Sequence, residues 1–200
     1  PKDVKCPVIL VTSSVNGVGK SYVATNLAIS LTLLGKRVAL VGLDIRKPML
    51  SPYMNLPSQG CLTSYVAEDA YTMEDLIVPS GIANLDVLPS GVVPPNPSEL
   101  LQSEKLDQLF VELRQNYDYV IVDSAPVALV GDSYLLHRLV DMTIFVTRAN
   151  YTAYDLIEFI NQTHMQQRLP KMVAVLNGVD AKKIGYGYGY GYGNSTKNKK

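Results

Sequence analysis

Hydrophobic positions along the chain follow two periodicities. Unbroken apolar runs predict strands that are buried on both faces of a parallel sheet, and apolar positions three or four residues apart predict helices. The predicted strands cover residues 7–12, 37–43, 84–88, 117–123, 143–147 and 171–176. The predicted helices cover residues 20–34, 58–67, 71–78, 97–101, 106–114, 133–139 and 153–168. Because strands alternate with helices, the expected fold class is α/β, with a mostly parallel sheet flanked by helices.

The periodic pattern ends near residue 180. A chain of 200 residues is long enough for one domain with a full-size core, and we predict this domain over residues 1–180. Residues 181–200 offer no hydrophobic face to bury, so they are predicted to form a flexible, disordered, tyrosine-rich tail. The tail alternates glycine and tyrosine from Gly185 to Gly193. Such alternation also fits a self-associating segment or an edge strand, although glycine weakens a strand.

Charge is balanced over the whole chain, with 18 basic and 18 acidic residues, but it is unevenly distributed. From Lys182 onward the chain carries five lysines and no acid, which leaves 13 basic against 18 acidic residues in the remainder. The tail is therefore basic and the predicted domain mildly acidic. On charge alone, a basic tail is explained equally well as a solubilising extension.

Cysteine usage and hydropathy indicate the cellular compartment. Cys6 and Cys61 are too few for a disulfide framework or a cysteine metal site, which favours a reducing, cytosolic compartment. No stretch is apolar enough, for long enough, to span a bilayer, and no signal peptide is visible. Since the first residue is Pro1 and not methionine, we expect a soluble fragment whose membrane anchor, if it has one, lies upstream.

A glycine-rich loop follows the first predicted strand. Residues 13–21, SSVNGVGKS, fit the phosphate-loop pattern G-x-x-x-x-G-K-[ST], with Ser14 in place of the first glycine. Gly17 and Gly19 let the backbone N–H groups face phosphates, Lys20 reaches the β- and γ-phosphates, and the Ser21 hydroxyl ligates Mg²⁺. A chance Gly/Ser turn is the alternative, but the position between a strand and a helix favours ATP or GTP. The predicted nucleotide-binding residues here are Ser14, Val15, Asn16, Gly17, Val18, Gly19, Lys20, Ser21 and Tyr22.

Two acids end predicted strands at the same edge of the sheet. Asp123 follows an apolar run and is predicted to complete the Mg²⁺ shell, although a strand-end acid can also cap a turn. Asp44 ends the second strand and is the candidate base for a phenol, whose pKa is ordinarily about 10; a helix cap or a surface loop is its alternative role. Arg46 adds positive charge beside it. The predicted catalytic residues are Lys20, Asp44, Arg46 and Asp123, and the predicted metal ligands are Ser21, Asp44 and Asp123.

Four segments together with the tyrosine-rich tail resemble one protein family. Residues 13–21, 43–48 (LDIRKP), 88–101 (LPSGVVPPNPSELL) and 119–123 (YVIVD) are similar to the cytoplasmic catalytic domain of the bacterial tyrosine kinases of capsule and exopolysaccharide export. The resemblance implies a phosphate-loop NTPase fold of the partitioning-ATPase type, with ATP and Mg²⁺ as cofactors. It also implies autophosphorylation in trans of the phosphoacceptors Tyr186, Tyr188, Tyr190 and Tyr192, at the cytoplasmic face of the inner membrane.

The resemblance further implies a set of partners. These are neighbouring copies of the chain, which could assemble as a ring oligomer, a membrane-anchored polysaccharide chain-length or export protein or domain, and a cognate tyrosine phosphatase. No nucleic acid is expected as a partner. The helical segment that seals the ring in this family precedes the first strand and would lie upstream of residue 1. By the same resemblance, Asn177 reads the adenine edge and Arg148 lies beside the nucleotide.

The sequence departs from the family pattern at the second motif. That motif usually reads D-x-D-x-R, and here Gly42 stands where the first acid is expected, which assigns its role to Asp44. Two other functions share the same motifs: a non-kinase partitioning-type ATPase switch, and a weakly active ATP-binding docking module. Tyr151 and Tyr154, at a predicted helix start, are interpreted as packing or surface residues.

Overall fold

In residues 4–56, 62–68 and 70–180, which this computed structural model describes, seven strands form one sheet in the order β3-β4-β2-β5-β1-β6-β7. The strands are β1 (Val8–Ser13), β2 (Val38–Leu43), β3 (Val78–Pro79), β4 (Leu85–Leu88), β5 (Tyr119–Ser124), β6 (Met142–Arg148) and β7 (Met172–Asn177). The helices are α1 (Lys20–Thr32), α2 (Leu50–Met54), α3 (Leu62–Ala67), α4 (Met73–Leu76), α5 (Pro97–Leu100), α6 (Glu104–Asn116), α7 (Asp132–Leu135) and α8 (Tyr154–Met165).

The sheet is parallel except at one edge. β1 lies between β5 and β6 and pairs in parallel with both, and β3 pairs antiparallel with β4. All six residues of β1, and all six of β2, are buried, as expected for central strands covered by helices on both faces. The parallel register brings the carboxyl ends of β1, β2 and β5 to the same edge of the sheet.

Helices cover the two faces of the sheet with different side chains. On one face, the small residues Ala24 and Ala28 of α1 are fully buried and let the helix approach the strands closely. On the other face, α6 presents four buried residues spaced for a single stripe, Leu106, Leu109, Phe110 and Leu113. Ser103 caps the N-terminus of α6, and its hydroxyl accepts a hydrogen bond from the Leu106 N–H. These two layers fix the loops that follow β1, β2 and β5.

The six predicted strands are all present, each with its bounds within two residues of the prediction. The predicted helix 71–78 was wrong at its end, because α4 stops at Leu76 and Val78 pairs with Val87 as β3. α2 was not predicted, and the predicted helix 133–139 is instead α7 followed by a 3₁₀ turn at Leu136–Arg138. The first residues of the predicted helix 58–67 and the predicted tail lie outside the described residues.

None of the helices in the described part of the chain combines the length and the apolar character that crossing a bilayer requires.

Candidate nucleotide-binding site

A cavity of about 330 Å³ opens at the carboxyl edge of the sheet, where β1 leads into α1. Lys20 and Ser21 are the first two residues of α1, so their side chains are positioned by the helix start. Asp123 lies near the end of β5, and its carbonyl accepts a hydrogen bond of 3.1 Å from the Asp44 N–H. The cavity is lined by Asn16, Gly17, Gly19, Lys20, Ser21, Tyr22, Asp44, Lys47, Met49 and Tyr53. The cavity therefore brings Asp44 together with six of the predicted loop residues, and Ser14, Val15 and Val18 do not line it.

The loop adopts a conformation that two glycines make accessible. Gly17 has a φ of 80° and Gly19 a φ of 97°, in the left-handed region that side chains disfavour. Val18 between them is fully buried and anchors the loop to the α1 layer. Ser14, which replaces the first glycine of the general pattern, is also fully buried, and its hydroxyl has no hydrogen-bond partner among the described residues.

Three ionisable side chains of the site alter one another's protonation. Burial lowers the pKa of Lys20, and the negative charges of Asp123 and Asp44 oppose this shift. Burial raises the pKa of Asp123 to about 6, against the hydrogen bond from Ser21 and the charge of Lys20. Burial also raises the pKa of Asp44, although the Lys47 N–H donates to its carboxylate at 3.0 Å. The site thus holds a buried cation between two carboxylates that are poorly solvated.

The same residues fit a magnesium ion. Asp123 is 3% exposed, and its Oδ1 atom has no hydrogen-bond partner among the described residues. A buried carboxylate oxygen of this kind is a ligand that Mg²⁺ prefers, and Ser21, which hydrogen-bonds to the same carboxylate, supplies a hydroxyl oxygen beside it. The described residues hold no cluster of three His, Cys, Asp or Glu that could bind a metal alone.

Arg46 makes an ion pair that the sequence did not indicate. Its Nε and Nη2 atoms donate to the two carboxylate oxygens of Asp132 at 2.5 and 3.2 Å. The Ser98 hydroxyl donates to the same carboxylate at 3.1 Å. Asp132 is buried at the start of α7, so it fixes Arg46 and the start of α5 to one point. The catalytic role of Arg46 stays a prediction, and Asp132 was missed because it lies 86 residues away in sequence.

Arg148 and Asn177 reach the phosphate loop from β6 and β7. The Arg148 Nη1 atom donates to the Gly17 carbonyl at 2.9 Å, and the Asn177 Nδ2 atom donates to the Val18 carbonyl at 2.8 Å. Tyr151 was interpreted as a packing or surface residue, and its hydroxyl donates to the Asn16 carbonyl at 3.2 Å. All three side chains thus contact the loop backbone. Direct contacts of Arg148 and Asn177 with a nucleotide stay predictions.

Gly42, which stands where the first acid of the second motif is expected, is tightly enclosed. A Cβ atom at this position would lie 3.2 Å from both the backbone N and the Oγ of Ser90, and 3.4 Å from Leu50. Gly42→Ala is therefore expected to lower the free energy of unfolding by about 1–2 kcal/mol, because the backbone of Ser90 must move. Urea unfolding checks this.

The matched control for that experiment is Gly131→Ala. The nearest atom to its added Cβ belongs to Tyr134 and lies at 3.9 Å, an ordinary contact. Equal stability changes in the two variants would show that the enclosure of Gly42 has no energetic consequence.

The loop, the buried lysine and the strand-end acids together define a phosphate-loop NTPase. The model of the AAA domain family matches residues 6–172 of the chain. The cell division ATPase MinD of Pyrococcus furiosus superposes with a TM-score of 0.69 at 22% identity, covering 85% of this chain and 71% of that one. This likeness concerns the fold alone, and it confirms the predicted α/β fold with a mostly parallel sheet.

Proteins with higher sequence identity to the chain define the class of protein more closely. The tyrosine-protein kinase YwqD of Bacillus subtilis is 33% identical over 170 residues, which are 85% of this chain and 71% of YwqD. The kinase domain of the Escherichia coli tyrosine kinase ETK superposes with a TM-score of 0.83 at 27% identity, covering 95% of this chain and 74% of that one. The chain belongs to the family of bacterial tyrosine-protein kinases. The resemblance drawn from its motifs is thereby confirmed, and with it the predicted enzyme class at the level of the family.

The chain corresponds to only a part of some relatives. The tyrosine-protein kinase wzc of Salmonella typhi is 31% identical over 179 residues, which are 90% of this chain but 25% of wzc. The matched region of wzc is thus about a quarter of that protein.

Proposed function

We propose that the chain transfers the γ-phosphoryl group of ATP to tyrosine hydroxyls. The observation that carries this proposal is the cavity at the carboxyl edge of the sheet, where Lys20, Ser21 and Asp44 line the space beside the buried Asp123. Membership of the tyrosine-protein kinase family supports the choice of tyrosine as the acceptor.

Each residue of the site has a distinct task in this transfer. The loop amides and Lys20 bind the phosphates and balance the negative charge that spreads over the γ-phosphoryl group. Asp123 and Ser21, with Asp44 beside them, would hold Mg²⁺, which supplies charge neutralisation when bound. Asp44 accepts the phenol proton as the tyrosine oxygen attacks, and ADP leaves. Because burial raises the pKa of Asp44, this carboxylate is a stronger base than a solvated one.

The proposed acceptors are Tyr186, Tyr188, Tyr190 and Tyr192 of a neighbouring copy. Their placement in a basic, glycine-spaced segment supports this, because such a segment can enter a cleft with little steric conflict. Four phosphates would add roughly −6 to −8 to a segment with five lysines. We expect this reversal of charge to loosen association between copies, which sedimentation before and after incubation with ATP would test.

The family supports a setting at the cytoplasmic face of the membrane. Relatives such as wzc are longer than the region matched here, so a membrane-anchored chain-length or export protein, or a domain of that kind, is the proposed partner. In this setting, phosphorylation regulates the synthesis and export of capsule or exopolysaccharide. A cognate tyrosine phosphatase would remove the phosphates from the tail.

A mixing experiment tests the activity and whether the phosphoryl group is transferred between copies of the chain. Two chains are incubated with Mg-ATP: one carries Lys20→Met and an intact tail, and the other carries an active site and phenylalanine at the four tail tyrosines. Mass spectrometry is expected to find phosphate on the tail of the Lys20→Met chain, which only transfer between copies can supply. Each chain incubated alone is the control, and neither should gain tail phosphate.

The unmodified chain, assayed with Mg-ATP for nucleotide binding, hydrolysis and phosphotyrosine, separates the rival functions. ATP hydrolysis without phosphotyrosine in the unmodified chain favours a partitioning-type ATPase switch. Nucleotide binding without either product favours a docking module, for which Gly42 in place of an acid is the supporting observation.

A further inference from the structure

Three side chains hold three successive carbonyl groups of the phosphate loop. Tyr151 donates to the carbonyl of Asn16 at 3.2 Å, Arg148 to that of Gly17 at 2.9 Å, and Asn177 to that of Val18 at 2.8 Å. We call Arg148, Tyr151 and Asn177 the loop clasp. Its members come from the end of β6, the connection to α8 and the end of β7.

The clasp lies outside the cavity. Among the described residues, those that line the cavity include Asn16, Gly17 and Gly19 but none of the three clasp residues. In a trans peptide unit, the carbonyl of one residue and the N–H of the next point in opposite directions. Since the clasp holds the carbonyls of residues 16–18, the N–H groups of residues 17–19 point away from it. They therefore point towards the side where a phosphate would bind.

The two loop glycines fit closely against the clasp. A Cβ atom at Gly17 would lie 2.8 Å from the Tyr151 hydroxyl, and one at Gly19 would overlap the Asn177 Nδ2 atom. Both glycines also have positive φ values. The clasp and the loop are thus complementary in shape as well as in hydrogen bonding.

The clasp is itself held in place by local hydrogen bonds. The Arg148 N–H donates to the Thr152 hydroxyl at 2.9 Å, and the Thr152 N–H donates back to the Arg148 carbonyl at 3.0 Å. The Arg148 guanidinium lies 5.5 Å from the centre of the Tyr151 ring. The Asn177 Oδ1 atom accepts from the Gly178 N–H at 2.8 Å, which turns its Nδ2 atom towards the loop.

We infer that Tyr151 is a positioning residue for phosphate binding, which acts through the Asn16 carbonyl and does not contact the nucleotide base. This inference concerns the binding step of the proposed function, and it is tested without any phosphoryl transfer. The kinase proposal can therefore fail while the inference about Tyr151 holds. The inference can likewise fail while the kinase proposal holds.

The test is Tyr151→Phe in the full 200-residue chain, which keeps the ring and removes only the hydroxyl. Affinities for Mg-ATP, inorganic tripolyphosphate and adenosine are measured by calorimetry or, for weak binding, by NMR titration. Loss of one hydrogen bond to the loop is expected to weaken Mg-ATP and tripolyphosphate equally, by roughly three- to tenfold. Adenosine affinity is expected to stay unchanged.

Tyr154→Phe is the matched control, because this side chain is 91% exposed and lies three residues away. It should change none of the three affinities. A loss of Mg-ATP affinity with unchanged tripolyphosphate affinity would place Tyr151 on the nucleoside and overturn the inference. Unchanged affinity for all ligands would overturn it too. An equal loss of affinity for all three ligands, together with a lower unfolding midpoint of the ligand-free chain, would also overturn the inference, because that result indicates a purely structural role.

Discussion

Lys20→Met is expected to lower the rate of ATP-dependent tyrosine phosphorylation by at least about a hundredfold, while the chain stays folded. Lys20 is 7% exposed at the start of α1, beside Asp44 and Asp123, and it is the loop cation that we propose to bind the phosphates. Methionine replaces its aliphatic stem with a side chain of similar length but supplies no charge to the transferred group. Quantitative phosphotyrosine detection measures the loss.

A control variant and a stability measurement distinguish a loss of catalysis from a loss of folding. Lys36→Met makes the same substitution at an exposed position beyond the far end of α1, and it should leave phosphorylation unchanged. Burial lowers the pKa of Lys20, so its charged form is less favourable in the folded state than in water. Its removal should therefore not lower the unfolding midpoint by more than a few degrees. Retained phosphorylation in Lys20→Met would contradict the assignment of the site.

The second large effect concerns Asp123, Mg²⁺ and pH. Burial raises the pKa of Asp123 to about 6, and Mg²⁺ binds the deprotonated carboxylate. The apparent affinity for Mg²⁺ is therefore expected to fall about tenfold for each pH unit below this pKa. Titrations of Mg²⁺ into the ATP-bound chain between pH 5 and 7.5 measure the slope.

The comparison for that titration is Asp123→Asn. Nucleotide phosphates also protonate near pH 6, but this contribution is common to both chains, so the difference between the two slopes reports Asp123. Asp155→Asn, at an exposed position in the first turn of α8, should behave like the unmodified chain. Identical slopes for the unmodified chain and Asp123→Asn would exclude Asp123 as a ligand.

The same carboxyl group also affects the stability of the nucleotide-free chain. Its folded-state pKa is above the unfolded value, so its contribution is present in full below the unfolded pKa and is lost as pH rises through about 6. The loss is on the order of 3 kcal/mol at neutral pH. The site therefore holds a carboxylate that opposes folding and is suited to binding a cation.

Local signals in the sequence were sufficient for six of the seven strands in the described residues and for the phosphate loop. The apolar runs of β1, β2 and β5 are each contiguous, and the loop residues that precede Lys20 follow one another in the chain. Because parallel strands end at a common edge, the meeting of Asp44 with the loop followed from the strand ends alone.

Contacts between residues that are distant in sequence could not be predicted from these local signals. Tyr151 and Asn16 are 135 residues apart, and the pattern around Tyr151 marks only a helix start. The short β3 has two residues, too few for a period to appear, and it forms through antiparallel pairing with β4. Arg46 was predicted to add positive charge beside Asp44, but its partner Asp132 could be found only from the fold.

The enclosure of Gly42 has a consequence for how this sequence can change during evolution. The backbone nitrogen of Ser90 lies only 3.2 Å from the position that a Cβ atom at residue 42 would take. A single mutation that introduced the acid of the family pattern would therefore be destabilising until the backbone at Ser90 had shifted. Positions 42 and 90 are expected to substitute together across lineages, and the order of the two changes would matter.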